Sequence, residues 1–315
     1  MILTVTLNPA IDRTLVLNHL KPGAVNRVQQ VREVMGGKGI NVARVLQAMG
    51  TPTIAAGLVG LDNLEPVKHL LSQEAFEICL SEVAGSTRTN TKIFATDNRS
   101  TTDLNEPGFC VWPDDVAHLI RKVRLLADKC DYFVFSGSCP PGLPDDVYAS
   151  LIQELSATAP CALDTDARWL RPGLLASPAL IKPNLEELEQ TIGQKLVSEQ
   201  DIIRACTHLA TKHAIRLILV SLGVEGSLLV AGHEAYRVPA LPVAVQSTVG
   251  AGDALLAGFL DALARQFSLQ EALAWATACG TMAVSCSDRT VFNRPEAGRL
   301  AQQVLNQVRD VSKQS

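Results

Sequence analysis

The chain has 315 residues, of which 47% are hydrophobic and 19% charged, with a net charge of −4. That length suits one large α/β domain with a smaller appendage, and the mild acidity, without a basic arm or stripe, argues against nucleic acid as partner. Eight cysteines form no CxxC pair and six histidines are scattered, so neither a disulfide framework nor protein-bound zinc is expected, and reduced, mostly buried thiols in a cytoplasmic protein are.

Residues 2–7 form a β-branched, apolar run closed by Asn8-Pro9 and read as a buried first strand, not a secretory leader. Residues 13–17 and 27–34 alternate polar with apolar, as strands with one wet face do. The loop Met35-Gly36-Gly37-Lys38-Gly39 then opens a helix over 40–49, whose Val42, Val45, Leu46 and Met49 share one face. From residue 53 strands and helices alternate. Strands are predicted at 53–58, 78–83, 132–135, 161–163, 180–181 and 217–221, with helices between them, for example over 114–127 and 144–155. This rhythm implies a mostly parallel sheet covered on both faces. One section breaks it: residues 87–96 and 100–105 read as a hairpin turning at Asp97-Asn98-Arg99. Helices over 251–265, 269–285 and 295–311 end the chain. The uncharged run between Glu271 and Asp288 is slightly short for a membrane span and rich in small residues, so it reads as a buried core helix.

The sharpest local signal is Ser247-Thr248-Val249-Gly250-Ala251-Gly252-Asp253, directly before an apolar helix. Glycines at a helix start let a ligand approach the backbone, and the free N–H groups and helix dipole there attract anions. Asp253 falls in the first turn, where a carboxylate either caps backbone amides or serves as a base beside an anion hole. Phosphoryl transfer uses both a positive cradle and a proton acceptor. The sequence contains no GxxxxGK[ST], and no GxGxxG follows the first strand, which argues against a P-loop enzyme and against a dinucleotide-dependent oxidoreductase.

Six segments in order resemble the ribokinase-like, PfkB family of carbohydrate kinases: Asn8-Pro9-Ala10-Ile11-Asp12, Gly36-Gly37-Lys38-Gly39-Ile40-Asn41, Ser136-Gly137-Ser138, Lys182-Pro183-Asn184 with Glu187, Ser221-Leu222-Gly223, and Gly250-Ala251-Gly252-Asp253. The resemblance implies a three-layer α/β/α domain with a mostly parallel central sheet, over residues 1–10, 35–86 and 110–315, and a small β lid over 11–34 and 87–109. It implies Asp253 as catalytic base and the Gly250, Ala251 and Gly252 amides as anion hole. Asn184 and Glu187 match the motif that organises Mg²⁺ and phosphate, Glu187 acting on the ion through water; an exposed helix carboxylate is the alternative for Glu187. Lys182 is expected near the phosphates of ATP, with Ser221, Gly223, Gly226 and Thr248 on the nucleotide side. Asp12, Gly36, Gly37 and Asn41 match the sugar-binding positions.

The lid bears on the substrate. Arg88, Asn90 and Lys92 stand on alternate residues of one strand and so share a face. That face is either solvated or a phosphate clamp, for which arginine's forked donors are suited. Relatives acting on phosphosugars carry an arginine at the Arg88 position and a basic residue at Arg27, so the substrate phosphate is assigned to Arg88 first and to Lys38 and Arg27 second. Thr102-Asp103-Leu104-Asn105-Glu106-Pro107-Gly108 resembles the branch acting on fructose 1-phosphate, with tagatose 6-phosphate as the alternative substrate. An idle phosphosugar sensor is disfavoured by the intact Asp253, Gly250, Gly252, Asn184 and Glu187. The lid is further expected to pair with a second copy in a homodimer, and no membrane partner is expected.

Overall fold

A computed structural model describes residues 1–285 and 292–312; Cys286, one of the thiols expected to be reduced, lies outside the described residues. In chain order the elements are β1 (Ile2–Thr6), β2 (Ala10–Leu17), β3 (Gln30–Gly36), α1 (Lys38–Ala48), β4 (Thr53–Gly60), α2 (Leu64–Leu71), β5 (Glu77–Val83), β6 (Arg88–Ala95), β7 (Ser100–Asn105) and α3 (Pro113–Arg124). There follow β8 (Tyr132–Ser136), α4 (Val147–Leu155), β9 (Cys161–Asp164), α5 (Ala167–Gly173), β10 (Leu180–Ile181), α6 (Leu185–Ile192), α7 (Glu199–His213) and β11 (Leu217–Ser221). The chain continues through β12 (Ser227–Ala231), β13 (Glu234–Val238), α8 (Ala251–Ala264), α9 (Leu269–Ser285), α10 (Arg294–Leu305) and β14 (Arg309–Asp310).

The main sheet runs β14-β13-β12-β11-β10-β9-β8-β1-β4-β5. It is parallel from β11 to β5, and β12, β13 and β14 add an antiparallel margin beyond β11. Side chains alternate across the sheet, so β1 feeds two cores. Leu3 and Val5 join the side chains of α3 to α7, whereas Ile2 joins those of α1, α8, α9 and α10. The expected three-layer α/β/α domain is present. The described part of the uncharged run is a core helix: α9 is buried from Ala272 to Cys279, and residues 286 and 287 of the run lie outside the described residues.

The remaining strands form a separate four-stranded sheet, β3-β2-β6-β7, in which β2 and β6 are parallel and both outer pairs antiparallel. Register places Asp12 opposite Asn90, and Asn90 opposite Asn105, so one face carries these polar groups together with Arg88 and Lys92. The other face carries Leu15, Leu17, Val31, Ile93 and Leu104, of which Val31 and Leu104 are exposed. One sequence expectation fails here. Arg27 lies in the exposed connection before β3 and not on a strand. Asn26 explains this: its side chain bonds the backbone of Lys21 and Ala24, a local closure that competes with strand pairing until Gln30.

Candidate active site

The parallel strands bring their carboxyl ends to one edge, and β1 is where the order reverses: β4 lies on one side, β8 and β9 on the other. A crevice at such a reversal is where open α/β sheets bind ligands. Asp164 ends β9 there. The Gly137 amide donates to the Asp164 carbonyl at 2.9 Å. The Gly137 carbonyl in turn accepts from Thr165 Oγ1 at 2.8 Å and Tyr148 Oη at 2.9 Å. The strand end is therefore rigidly held.

Around Asp164 the charged groups converge. Its fully buried carboxylate stands 3.2 Å from Lys182 Nζ, just past β10, and 3.4 Å from Lys38 Nζ at the start of α1. Lys182 is buried, whereas Lys38 stays 36% exposed and also lies 3.8 Å from Glu187 Oε1. Burial works against the Asp164 carboxylate, but Lys182 and Lys38 outweigh it and hold the carboxyl below its ordinary range. The Lys38 ammonium is held charged to unusually high pH, chiefly by Asp164. Asp164 carries no motif and was absent from the residues expected of the site. Its Oδ2 is buried and has no hydrogen-bond partner among the described residues.

Asp253 is 6% exposed. Among the described residues no side chain caps α8, whose N-cap is Gly250 at φ 82, a left-handed conformation that favours glycine. The Asp253 carboxylate instead accepts a hydrogen bond from Asn41 Nδ2, on α1, at 2.7 Å. This argues against the capping alternative. Burial, and then the Asp164 charge, push the Asp253 carboxyl above its ordinary range, while Lys38, the Asn41 bond and Lys182 pull the other way. Lys182 also approaches the cradle directly, since a Cβ on Gly252 would lie 3.2 Å from its Nζ.

Asn184 and Glu187 form a capping box on α6: Asn184 Oδ1 accepts from the Glu187 amide and Glu187 Oε2 from the Asn184 amide, both at 2.8 Å. Glu187 is 14% exposed at its side chain, so it is not a solvated helix carboxylate, and its Oε1 is the oxygen near Lys38. Asn184 also bridges to Ser221 at the end of β11, and the turn Gly223–Glu225 leads through Gly226 into β12. Thr248 lies just before the cradle, where its carbonyl accepts from the Ala251 amide at 3.4 Å.

On the lid side, Asp12 receives a hydrogen bond from Asn90 Nδ2 at 3.3 Å. Gly36 lies close beside it: a Cβ there would fall 2.1 Å from Asp12 Oδ2 and displace the carboxylate. Gly37 is the N-cap of α1, which joins this corner to Lys38 and Asn41. Arg88 is half-buried: its Nη2 donates to the Asn8 carbonyl at 3.0 Å and its Nη1 to the Glu106 carbonyl at 3.2 Å. Its Nε is buried without a partner among the described residues, so the fork keeps donors to spare. Arg27 stands exposed in the connection before β3.

The chain is similar to known proteins along most of its length. A family model described as pfkB family carbohydrate kinase matches residues 5–297. The chain is 36% identical to a 1-phosphofructokinase of Vibrio cholerae, across 96% of this chain and 95% of the relative. It is 34% identical to the 1-phosphofructokinase of Escherichia coli, across 96% of both. A crystal structure of phosphofructokinase-2 from Escherichia coli in complex with substrates and products superposes with a TM-score of 0.89 at 26% identity, covering 96% of this chain and 99% of that one.

Proposed function

The chain belongs to the pfkB family of carbohydrate kinases, and from that premise we propose that it transfers the γ-phosphoryl group of ATP to the C6 hydroxyl of D-fructose 1-phosphate, giving D-fructose 1,6-bisphosphate. The observation that carries the chemistry is the buried Asp253 carboxylate, fixed by Asn41 at the uncapped head of α8. Fructose 1-phosphate as the substrate is supported by relatives named 1-phosphofructokinase at 34–38% identity.

In this reading Asp253 takes the proton of the attacking hydroxyl. The amides of Gly250, Ala251 and Gly252, with the α8 dipole, meet the charge on the phosphoryl group in flight. Lys182 lies near the phosphates of ATP, and Ser221, Gly223, Gly226 and Thr248 line the nucleotide side. Asp12 and Asn90 bind sugar hydroxyls with the backbone at Gly36 and Gly37. Arg88 holds the C1 phosphate through its unused donors, with Lys38 and Arg27 in support.

Mg²⁺ is the usual companion of ATP in such a reaction. Among the described residues no group of three or more His, Cys, Asp or Glu side chains could cage a metal ion, which suits an ion that keeps several of its own waters. The unpartnered Asp164 Oδ2, and Glu187 through water, are the carboxylates that would meet it. When bound, the ion would draw charge from the phosphates.

We assign the exposed apolar face of the lid to pairing with a second copy in a homodimer; a solution mass equal to one chain at all working concentrations would remove that assignment. Among the described residues no helix is long and apolar enough to cross a membrane, and we place the enzyme in the cytoplasm. Rates of ADP release with fructose 1-phosphate, tagatose 6-phosphate, fructose 6-phosphate, fructose and ribose test the substrate. The expected kcat/KM is highest for fructose 1-phosphate. Preference for tagatose 6-phosphate would overturn the substrate alone, and turnover of free sugars alone would overturn the phosphate clamp.

A further inference from the structure

Asp253 is held by Asn41, and Asn41 is itself held. A half-turn of an asparagine amide exchanges its oxygen and its NH₂ group. Only one of the two orientations donates to a carboxylate; the other sets oxygen against oxygen. Arg44 decides between them. It lies three residues along α1, and its Nη1 donates to Asn41 Oδ1 at 3.1 Å. A guanidinium has donors and no acceptor. The amide oxygen therefore faces Arg44, and the NH₂ group faces Asp253.

Arg44 is locked in turn. Its Nε lies 3.1 Å and 3.2 Å from the two carboxylate oxygens of Glu74, in the connection from α2 to β5, and its Nη2 also bonds Glu74. The same Nη2 donates to the Met35 carbonyl at 2.9 Å, near the end of β3. The side chains of Arg44 and Glu74 are only 17% and 15% exposed. A planar fork bound on three sides, by Glu74, Met35 and Asn41, has little freedom to turn.

We propose that Arg44, fixed by Glu74, is a positioning residue for phosphoryl transfer: it sets the Asn41 amide so that its NH₂ group holds the Asp253 carboxylate at the reacting hydroxyl. The inference rests on the reading of Asp253 as the base. It assigns a task to two residues, Arg44 and Glu74, that touch neither substrate and lie outside the kinase motifs of the sequence. Through Met35 the same fork also ties β3 of the lid to the orientation of the base.

The test is a kinetic cycle with fructose 1-phosphate and MgATP on Asp253→Asn, Asn41→Ala, Arg44→Met and the double variant Asn41→Ala/Arg44→Met. Misplacing a reacting group by about 1 Å costs on the order of 10²-fold, so Arg44→Met should lower kcat about 10- to 100-fold while the KM of each substrate stays within about threefold. The double variant should be no slower than Asn41→Ala alone, because Arg44 acts only through that amide. Arg44→Met strands the Glu74 carboxylate, so if it fails to fold, Arg44→Met/Glu74→Met carries the same comparison in both backgrounds. Losses that multiply in the double variant, or a kcat per folded enzyme that Arg44→Met leaves unchanged, overturn the proposal. Full turnover by Asp253→Asn would instead show that the base itself is misassigned. A slow Asp253→Asn with multiplying Arg44 and Asn41 losses would sink this inference and leave the base standing.

Discussion

The cluster beneath α8 and the polar face of the lid both gather charge, yet they do so in different surroundings. Asp164, Asp253 and Lys182 are buried on rigid strand and helix ends of the main sheet. Asp12, Arg88, Asn90 and Lys92 stand half-buried on a sheet of four short strands. In the cluster each charge acts at low effective dielectric, and no water stands ready to replace a lost partner. On the lid, solvent screens the same charges and tolerates their loss. The proposed function thus puts the chemistry on the buried layer and substrate discrimination on the half-buried one.

The cleanest way to break this comparison is Asp253→Asn. The amide is isosteric, cannot accept the proton, and should cost about 10²- to 10⁴-fold in kcat. Stability should not fall. Because burial and Asp164 raise the Asp253 pKa in the folded state, its ionised form weakens the fold above the unfolded carboxyl's pKa, and removing that charge should raise Tm slightly at neutral pH. Full activity in this variant, or a lowered Tm with unfolded protein, would contradict the assignment.

A second test uses pH. Asp253 must be ionised to act, so the acid limb of kcat/KM should lie above the ordinary carboxylate range. Asp164→Asn removes a repelling charge and leaves Lys38 and Lys182 without their main counter-ion. Both changes favour ionised Asp253, so the acid limb should move to lower pH even as the rate falls. A limb that stays in place would mean Asp164 does not act on Asp253 through space. The stability contribution of Asp164 itself has the opposite sense: its folded pKa is depressed, so the contribution is present above the unfolded pKa and lost as pH falls through the folded one.

On the lid, Arg88→Ala should raise KM for the phosphorylated sugar and leave KM for ATP almost unchanged. A hydrogen bond to a charged group contributes about 1.5–3 kcal/mol, or roughly 10- to 100-fold. Equal effects on both substrates would mean that Arg88, through its bonds to Asn8 and Glu106, supports the local fold more than it binds phosphate.

The same division decides what the sequence makes legible. Strands β10 and β11 were found to the residue, because apolar runs between turn residues mark the buried layer. The GAGD segment announced the helix start. Asp164 was missed because its partners lie 126 and 18 positions away on α1 and after β10; nothing local in Cys161–Asp164 distinguishes it from any strand end. The antiparallel margin of β12 to β14 also went unread: β12 and β13 are a local hairpin turning at Gly232-His233, whereas β14 reaches β13 from across the whole C-terminal helical layer. The Asn184–Glu187 capping box was readable from Asn-x-x-Glu spacing, but the motif drew attention to phosphate chemistry instead.

The smallest expected effect separates two arginines of the lid. Arg27 was placed on a strand by the alternation of residues 27–34, but the connection closed by Asn26 leaves it exposed ahead of β3. Arg88 is anchored by two carbonyls before any ligand arrives, so little freedom remains for it to lose. Arg27 would have to give up a long side chain's rotamers to reach a phosphate, and salt would screen whatever it gained. Arg27→Ala should therefore raise KM for the sugar phosphate by about threefold at most, within the roughly 0–1 kcal/mol of an exposed ion pair, and the difference should fade as salt increases. An effect as large as that of Arg88→Ala and insensitive to salt would mean that the linker folds onto the bound sugar and buries Arg27 there. The lid would then hold its phosphate from two strands' ends and its connection together, and would owe its selectivity to closure as well as to the preset fork of Arg88.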